Sequence, residues 1–132
     1  MIKMNLSPLD KGKIGEKYAE KYLKKNGYKI LERNMRNEYS EIDIIAESKE
    51  YIIFVEVKSR TSENYLSPSA SVDFKKQKKI MTAASHYIKV NNIVKQPRFD
   101  IAEVFLSLRS CKPYRINYIE NAFVQGGDYA VF

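Results

Sequence analysis

Two acids and a lysine stand inside runs of apolar residues that read as β-strands. Asp43 interrupts Ile42 and Ile44-Ile45, and thirteen residues later Glu56-Val57-Lys58 closes the run Ile52-Ile53-Phe54-Val55. Burying a carboxylate or an ammonium is costly unless another charge or a metal compensates it. Carboxylates converging from neighbouring strands can hold a hard divalent ion through oxygen. A lysine beside that ion can orient a water, help deprotonate it or offset charge building on a phosphate. The chemistry indicated is phosphodiester cleavage. The plainer alternative is a solvated hairpin face with ordinary ion pairs. Ile52 and Phe54 weigh against it, because they share a face with Glu56 and imply cover.

Alternation tests whether the charges converge. Ile52, Phe54, Glu56 and Lys58 share one face of their strand, and Glu41, Asp43, Ile45 and Glu47 share one face of theirs. A turn centred between Ser48 and Lys49 pairs Asp43 with Phe54 and Glu41 with Glu56. Asp43 and Glu56 are then diagonal neighbours about 7–8 Å apart. A three-residue turn would throw Asp43 to the other face, so the site demands an even-numbered loop.

The elements that must position these residues follow from pattern. Ser7-Pro8-Leu9-Asp10 starts a helix with a capping box and proline at its first position. Ile14, Tyr18 and Tyr22, with Ala19 and Leu23, form its apolar stripe, and Asn26-Gly27 ends it. Gly12 and Gly15 weaken that helix, which suggests close approach of another backbone or of a ligand. Tyr28 to Asn34, Glu41 to Glu47 and Tyr51 to Lys58 read as strands. Thr61 to Ser71 reads as a loop. Asp73 to about Val90 is a helix whose apolar face is Phe74, Ile80, Ala84, Tyr87 and Ile88. Arg98 to Leu108 and Tyr114 to Glu120 are late strands, and residues 124–132 a weakly ordered tail. The order α-β-β-β-α-β-β predicts an α/β fold with a mixed sheet of about five strands. The second helix crosses over to a parallel neighbour.

Composition sets the bounds. The chain of 132 residues is 44% hydrophobic and 30% charged, as expected of one globular domain with its core over about 8–123. No apolar run approaches the roughly 18 residues of a membrane span, and the first ten residues carry no signal-peptide pattern. Cys111 is the single cysteine and His86 the single histidine. An internal disulfide is excluded, structural zinc lacks its usual ligands, and a reducing cytoplasm fits. Any metal should be Mg²⁺ or Mn²⁺ held by oxygen. The net charge of +7 favours a polyanion such as nucleic acid, although many basic domains bind none.

Asp43 followed by Glu56-Val57-Lys58 across a hairpin resembles the PD-(D/E)xK signature of restriction-endonuclease-like nucleases, with Ile42 in place of the usual proline. The wider set is more specific. Gly15-Glu16-Lys17-Tyr18-Ala19, Ile30-Leu31-Glu32-Arg33-Asn34, Glu41-Ile42-Asp43-Ile44-Ile45-Ala46, Phe54 to Arg60, Arg98-Phe99-Asp100 and Asn121-Ala122-Phe123 come in the order of the YraN family. That bacterial family consists of Holliday-junction-resolvase-like endonucleases. The resemblance spans about residues 10 to 123, with Ser40 standing where the family usually has glycine. It implies a three-layer nuclease core and cleavage of DNA, branched or junction DNA in particular. It also implies Asp43, Glu56 and the Val57 carbonyl as metal ligands and Lys58 as the catalytic lysine. Glu16, otherwise an ordinary solvated helix acid, becomes a further acid brought to the metal. A homodimer is expected on the same ground.

Other residues leave two readings open. Lys75, Lys76, Lys78 and Lys79 are either a solvated helix face or phosphate contacts. Gln77 resembles a helix glutamine of some nucleases of this fold, but Met81 replaces their following tyrosine. Arg33, Arg36 and Arg60 could grip a phosphate bidentately, or be plain surface residues. Asp100 beside Arg98 reads as a structural ion pair, and His86 as a surface or packing residue. Tyr39 and Tyr65 could stack on unpaired bases. As a whole the chain reads as a metal-dependent nuclease. The alternative is a non-catalytic nucleic-acid-binding or scaffolding module that keeps the fold. A carboxylate-pair glycosidase would leave Lys58 and the charge unexplained.

Overall fold

The computed structural model describes residues 6–61 and 72–124. Tyr65, most of the 61–71 loop and all of the tail beyond Val124 lie outside them. Helix α1 (Pro8–Lys25) starts at the expected box: Ser7 Oγ accepts from the Asp10 N–H, and the Asp10 carboxylate accepts from the Ser7 N–H. Gly27, at φ 89°, supplies the left-handed turn after it. Then come β1 (Lys29–Arg36), β2 (Glu41–Glu47), β3 (Tyr51–Arg60), α2 (Phe74–Val90), β4 (Gln96–Leu106) and β5 (Pro113–Ile119). The sheet order is β1-β2-β3-β4-β5. Only β3 and β4 run parallel, with α2 between them in sequence.

Side-chain alternation sorts the apolar residues into two layers around the sheet. Ala19 and Leu23 of α1 pack on Ile44, Ala46, Ile53, Val55, Ala102 and Val104. On the other side Ile80, Met81, Ala84 and Tyr87 of α2 pack on Ile45, Ile52, Phe54, Phe99 and Ile101. The three-layer α/β architecture is therefore present. The α2 stripe differs from the sequence reading at one end. Phe74 is 60% exposed, with the Lys78 ammonium 5.0 Å over its ring, and Met81 and Ala83 are buried instead.

The hairpin register also differs. Its turn is centred between Lys49 and Glu50, closed by a Ser48 N–H to Tyr51 carbonyl bond of 2.9 Å. Ile45 pairs with Phe54 and Ile44 with Val55. The loop is even, as the site requires, but the register has moved by two residues. Parity survives, and residues 43 and 56 fall one step beyond the last pair, Ile44–Val55.

Asp100 lies on the α1 side and is fully buried. It accepts from Arg98 Nε and Nη2, from the Tyr118 hydroxyl at 2.6 Å and from the Asn121 N–H at 2.8 Å. Arg98 lies over the rings of Tyr28 and Tyr51. This is the structural ion pair that the sequence suggests. It also anchors the last turn, where Phe123 stacks on Phe99.

Candidate active site

The β2–β3 ladder stops at Ile44–Val55. Beyond that point β2 stays with β1 as far as Glu41–Arg36, while β3 stays with β4 as far as Arg60–Phe105. The sheet therefore opens into a fork. Strict alternation fails at its mouth: Ile42 and Ile45 both pack on the α2 side, so the backbone turns over between them. Asp43 consequently does not share the α2 face with Glu56, as alternation alone implies. It sits in the fork, where its Oδ2 accepts the Val57 N–H at 2.8 Å. A carboxylate thus takes the place of the missing ladder acceptor. Because the N–H and C=O of a strand residue point to the same side, the Val57 carbonyl is aimed at the fork as well.

Glu56 reaches the fork from the α2 face. Its carboxyl faces that of Asp43 closely enough to feel its charge. It is only 5% exposed. Loss of hydration comes first, and the Asp43 carboxylate second, in pushing its pKa up to about 8; Lys76 and Lys58 oppose them. Two carboxyl groups this close cannot both ionise cheaply without a cation. Lys58, two residues on, lies across from the fully buried Glu103 in the parallel register.

Glu16 approaches from α1. Gly15, beside it, is the contact point. A Cβ there would lie 2.0 Å from Ser59 Oγ and 3.5 Å from Val57 Cγ1, so only glycine lets α1 cross β3 this closely. Ser59 Oγ completes the crossing by donating to the Lys11 carbonyl at 3.0 Å. Gly12 has no such role, because a Cβ there would meet nothing within 4 Å. Partial burial, then the Asp43 charge, raise the Glu16 pKa, and the nearby Asn34 amide opposes them. Glu16 and Asp43 line a cleft of about 420 Å³ with Lys13, Ile14, Lys17 and Asn34. Among the described residues no three His, Cys, Asp or Glu side chains gather into one metal-holding cluster. Asp43 and Glu56 form a pair, and Glu16 stands beside it.

The proposed phosphate contacts divide. Arg33 forms a two-pronged pair with Glu20, and this bonding holds the Glu20 carboxyl down at about 2. Arg36 pairs with Glu41 at 3.2 Å, and Arg60 Nε with Glu103 Oε2 at 3.2 Å. The Gln77 amide donates to the Val72 carbonyl at 2.8 Å and so serves the entry to α2. Lys75 and Lys79 are exposed. Lys76 alone of its run turns inward, its Nζ 3.7 Å from Glu56 Oε2. Tyr39 lies 5.5 Å from His86, ring to ring, which makes His86 a packing residue. Two participants escape the sequence reading. Glu103 carries the same signal as Asp43, a charge inside an apolar strand. Asn34 sits at φ 50°, a conformation asparagine tolerates, but nothing in the sequence marks it.

Comparison with known proteins agrees on kinship. The model of the uncharacterised protein family UPF0102 matches residues 15–104. A UPF0102 protein of Caldanaerobacter subterraneus is 51% identical over 113 residues, covering 85% of this chain and 93% of the relative. One of Clostridioides difficile is 51% identical over 115 residues, covering 86% and 96%. Among solved structures, an FdxN element excision controlling factor protein from Anabaena variabilis aligns with 79% of this chain and 98% of its own. Its TM-score is 0.35 and its identity 12%, too loose a likeness to bear on function.

Proposed function

We propose that this chain, which belongs to the UPF0102 (YraN) family, is a metal-dependent nuclease that hydrolyses DNA phosphodiesters. The observation that carries the reading is Asp43 held in the sheet fork by the Val57 N–H beside the buried Glu56, with Lys58 on the strand that bears Glu56. The residues fit a divalent cation: the donors are hard oxygens, Glu56 is desolvated, and its nearest ammonium is a loose partner at 3.7 Å. Asp43, Glu56 and the Val57 carbonyl would hold Mg²⁺ or Mn²⁺, with Glu16 beside them, and the ion would supply Lewis-acid activation of water.

The chain's own groups divide the remaining work. The Val57 N–H fixes the Asp43 carboxylate, so one donor is oriented before any ligand arrives. Lys58 supplies a positive charge near the reacting phosphate and can move a proton at the attacking water. Crossing of α1 over β3 at Gly15 keeps Glu16 on the cleft. The exposed lysines of α2 provide sequence-independent attraction for a phosphate backbone.

Branched or junction DNA is the substrate class that the family resemblance implies, and homodimerisation would suit its two symmetric strands. The test is a panel of branched, flapped, linear and single-stranded DNAs with Mg²⁺ or Mn²⁺. Asp43→Asn and Lys58→Ala should each lower cleavage by about 100-fold or more while DNA binding persists. Wild type and Lys58→Ala cleaving every substrate equally would overturn the reading. Binding without any metal-dependent cleavage would favour the non-catalytic module.

A further inference from the structure

Four lysines crowd the first two turns of α2, and the acid at that end is the N-cap Asp73, whose carboxylate accepts the Lys76 N–H at 2.8 Å. Cations at a helix N-terminus oppose the macrodipole, and Asp73 sets one carboxylate against four ammonium groups. Lys75, Lys78 and Lys79 are exposed. Lys76 differs. Its side chain remains 42% exposed along its length, yet its Nζ is directed at Glu56 Oε2, whose side chain is only 6% exposed. At 3.7 Å this is an ion pair without a hydrogen bond, and the half-exposed stem leaves room to swing away. We infer that Lys76 is a stand-in cation. It partners the Asp43–Glu56 carboxyl pair while no metal is bound, leaves when a divalent ion takes that pair, and then pairs with a DNA phosphate.

The inference rests on the proposed metal site and adds a property to it. One lysine cannot neutralise the Asp43–Glu56 pair and a phosphate together, so ion and DNA become energetically coupled through it. By linkage, DNA that draws Lys76 away must tighten ion binding, and the ion must tighten DNA binding by the same factor. The coupling would suppress loading of the site away from DNA.

Lys76→Met keeps the stem and removes the charge; Lys89→Met, at the far end of α2, is the exposed control. Binding of Mn²⁺ alone is measured by calorimetry, then the binding of Ca²⁺ with and without a four-way DNA junction. Lys76→Met should bind Mn²⁺ about three-fold or more tightly than wild type. It should also lose the gain in Ca²⁺ affinity that the junction gives wild type. Lys89→Met should resemble wild type in both. Unchanged or weaker Mn²⁺ binding by Lys76→Met, with wild-type binding present and abolished by Asp43→Asn, overturns the inference and leaves the metal site standing. Absence of Mn²⁺ binding that depends on Asp43 overturns both.

Discussion

Glu56 is buried against a second carboxyl, and the two lysines near it do not offset the loss of hydration. Its proton is therefore held more tightly in the folded state, at about 8, than in the unfolded chain, near 4.5. The sign follows from proton counting. Between those values the native state binds more protons than the unfolded one, so stability falls as pH rises. Metal-free protein should lose a few kcal/mol of unfolding free energy between about pH 5 and pH 9. Urea titrations at stepped pH measure this. Glu56→Gln should flatten the slope, and Mn²⁺ should restore stability at the alkaline end by binding the folded state. A pH-independent wild type would refute the account. At this scale Asp43, Glu56 and Lys58 were legible because charges inside apolar strands are rare and costly. Glu103 carried the same signal. The partners of Arg33, Arg60 and Lys76 were not legible, since each comes from a segment 13 to 43 residues away or from the docking of α2.

At the scale of elements, the fork and the α1 crossing place the donors. The fork exists because β2 and β3 each keep their outer neighbours after parting, so the loss of one ladder is offset by two others. The crossing depends on Gly15. Gly15→Ala should cost about 1–3 kcal/mol, as overpacking does, since the Ser59 hydroxyl must give up the Lys11 carbonyl to make room. Gly12→Ala meets open space and should be neutral or stabilising by up to about 1 kcal/mol. Urea midpoints of the pair decide it: equal effects would remove the special role of Gly15. The existence and order of the elements were readable from periodicity and caps. The register was not, because a hairpin shifted by two residues preserves every alternation and turns on which two residues form the loop.

Over the whole molecule, the donors and both helix N-terminal halves meet at one end of the sheet. There α1 crosses Val57 and Ser59, and Lys76 of α2 reaches Glu56. The net charge of +7 is thus partly concentrated beside the site. If the exposed lysines contact phosphate, each removed should reduce the slope of log affinity against log salt by about one unit. Lys75→Gln with Lys79→Gln, titrated against duplex DNA at several salt concentrations, tests that. An unchanged slope would return both lysines to the solvated surface. No helix among the described residues is long and apolar enough to cross a membrane.

By itself the sequence determined the element order, the three-layer α/β class, the family and the short set of charges worth watching. The order and the charges follow from local pattern: alternation in strands, spacing in helices, caps at their ends, and the cost of burying charge. The family and the three layers follow from the resemblance carried by the motifs between Gly15 and Phe123. The tertiary structure decided where that alternation breaks. It placed Asp43 in a fork rather than on a face, bonded it to the Val57 N–H next to Glu56, and left Glu16 beside them. It also gave Arg33, Arg36 and Arg60 acidic partners and turned one lysine of four inward. These outcomes depend on which distant surfaces pack together, and a linear pattern specifies the faces of each element without specifying how far neighbouring strands stay joined.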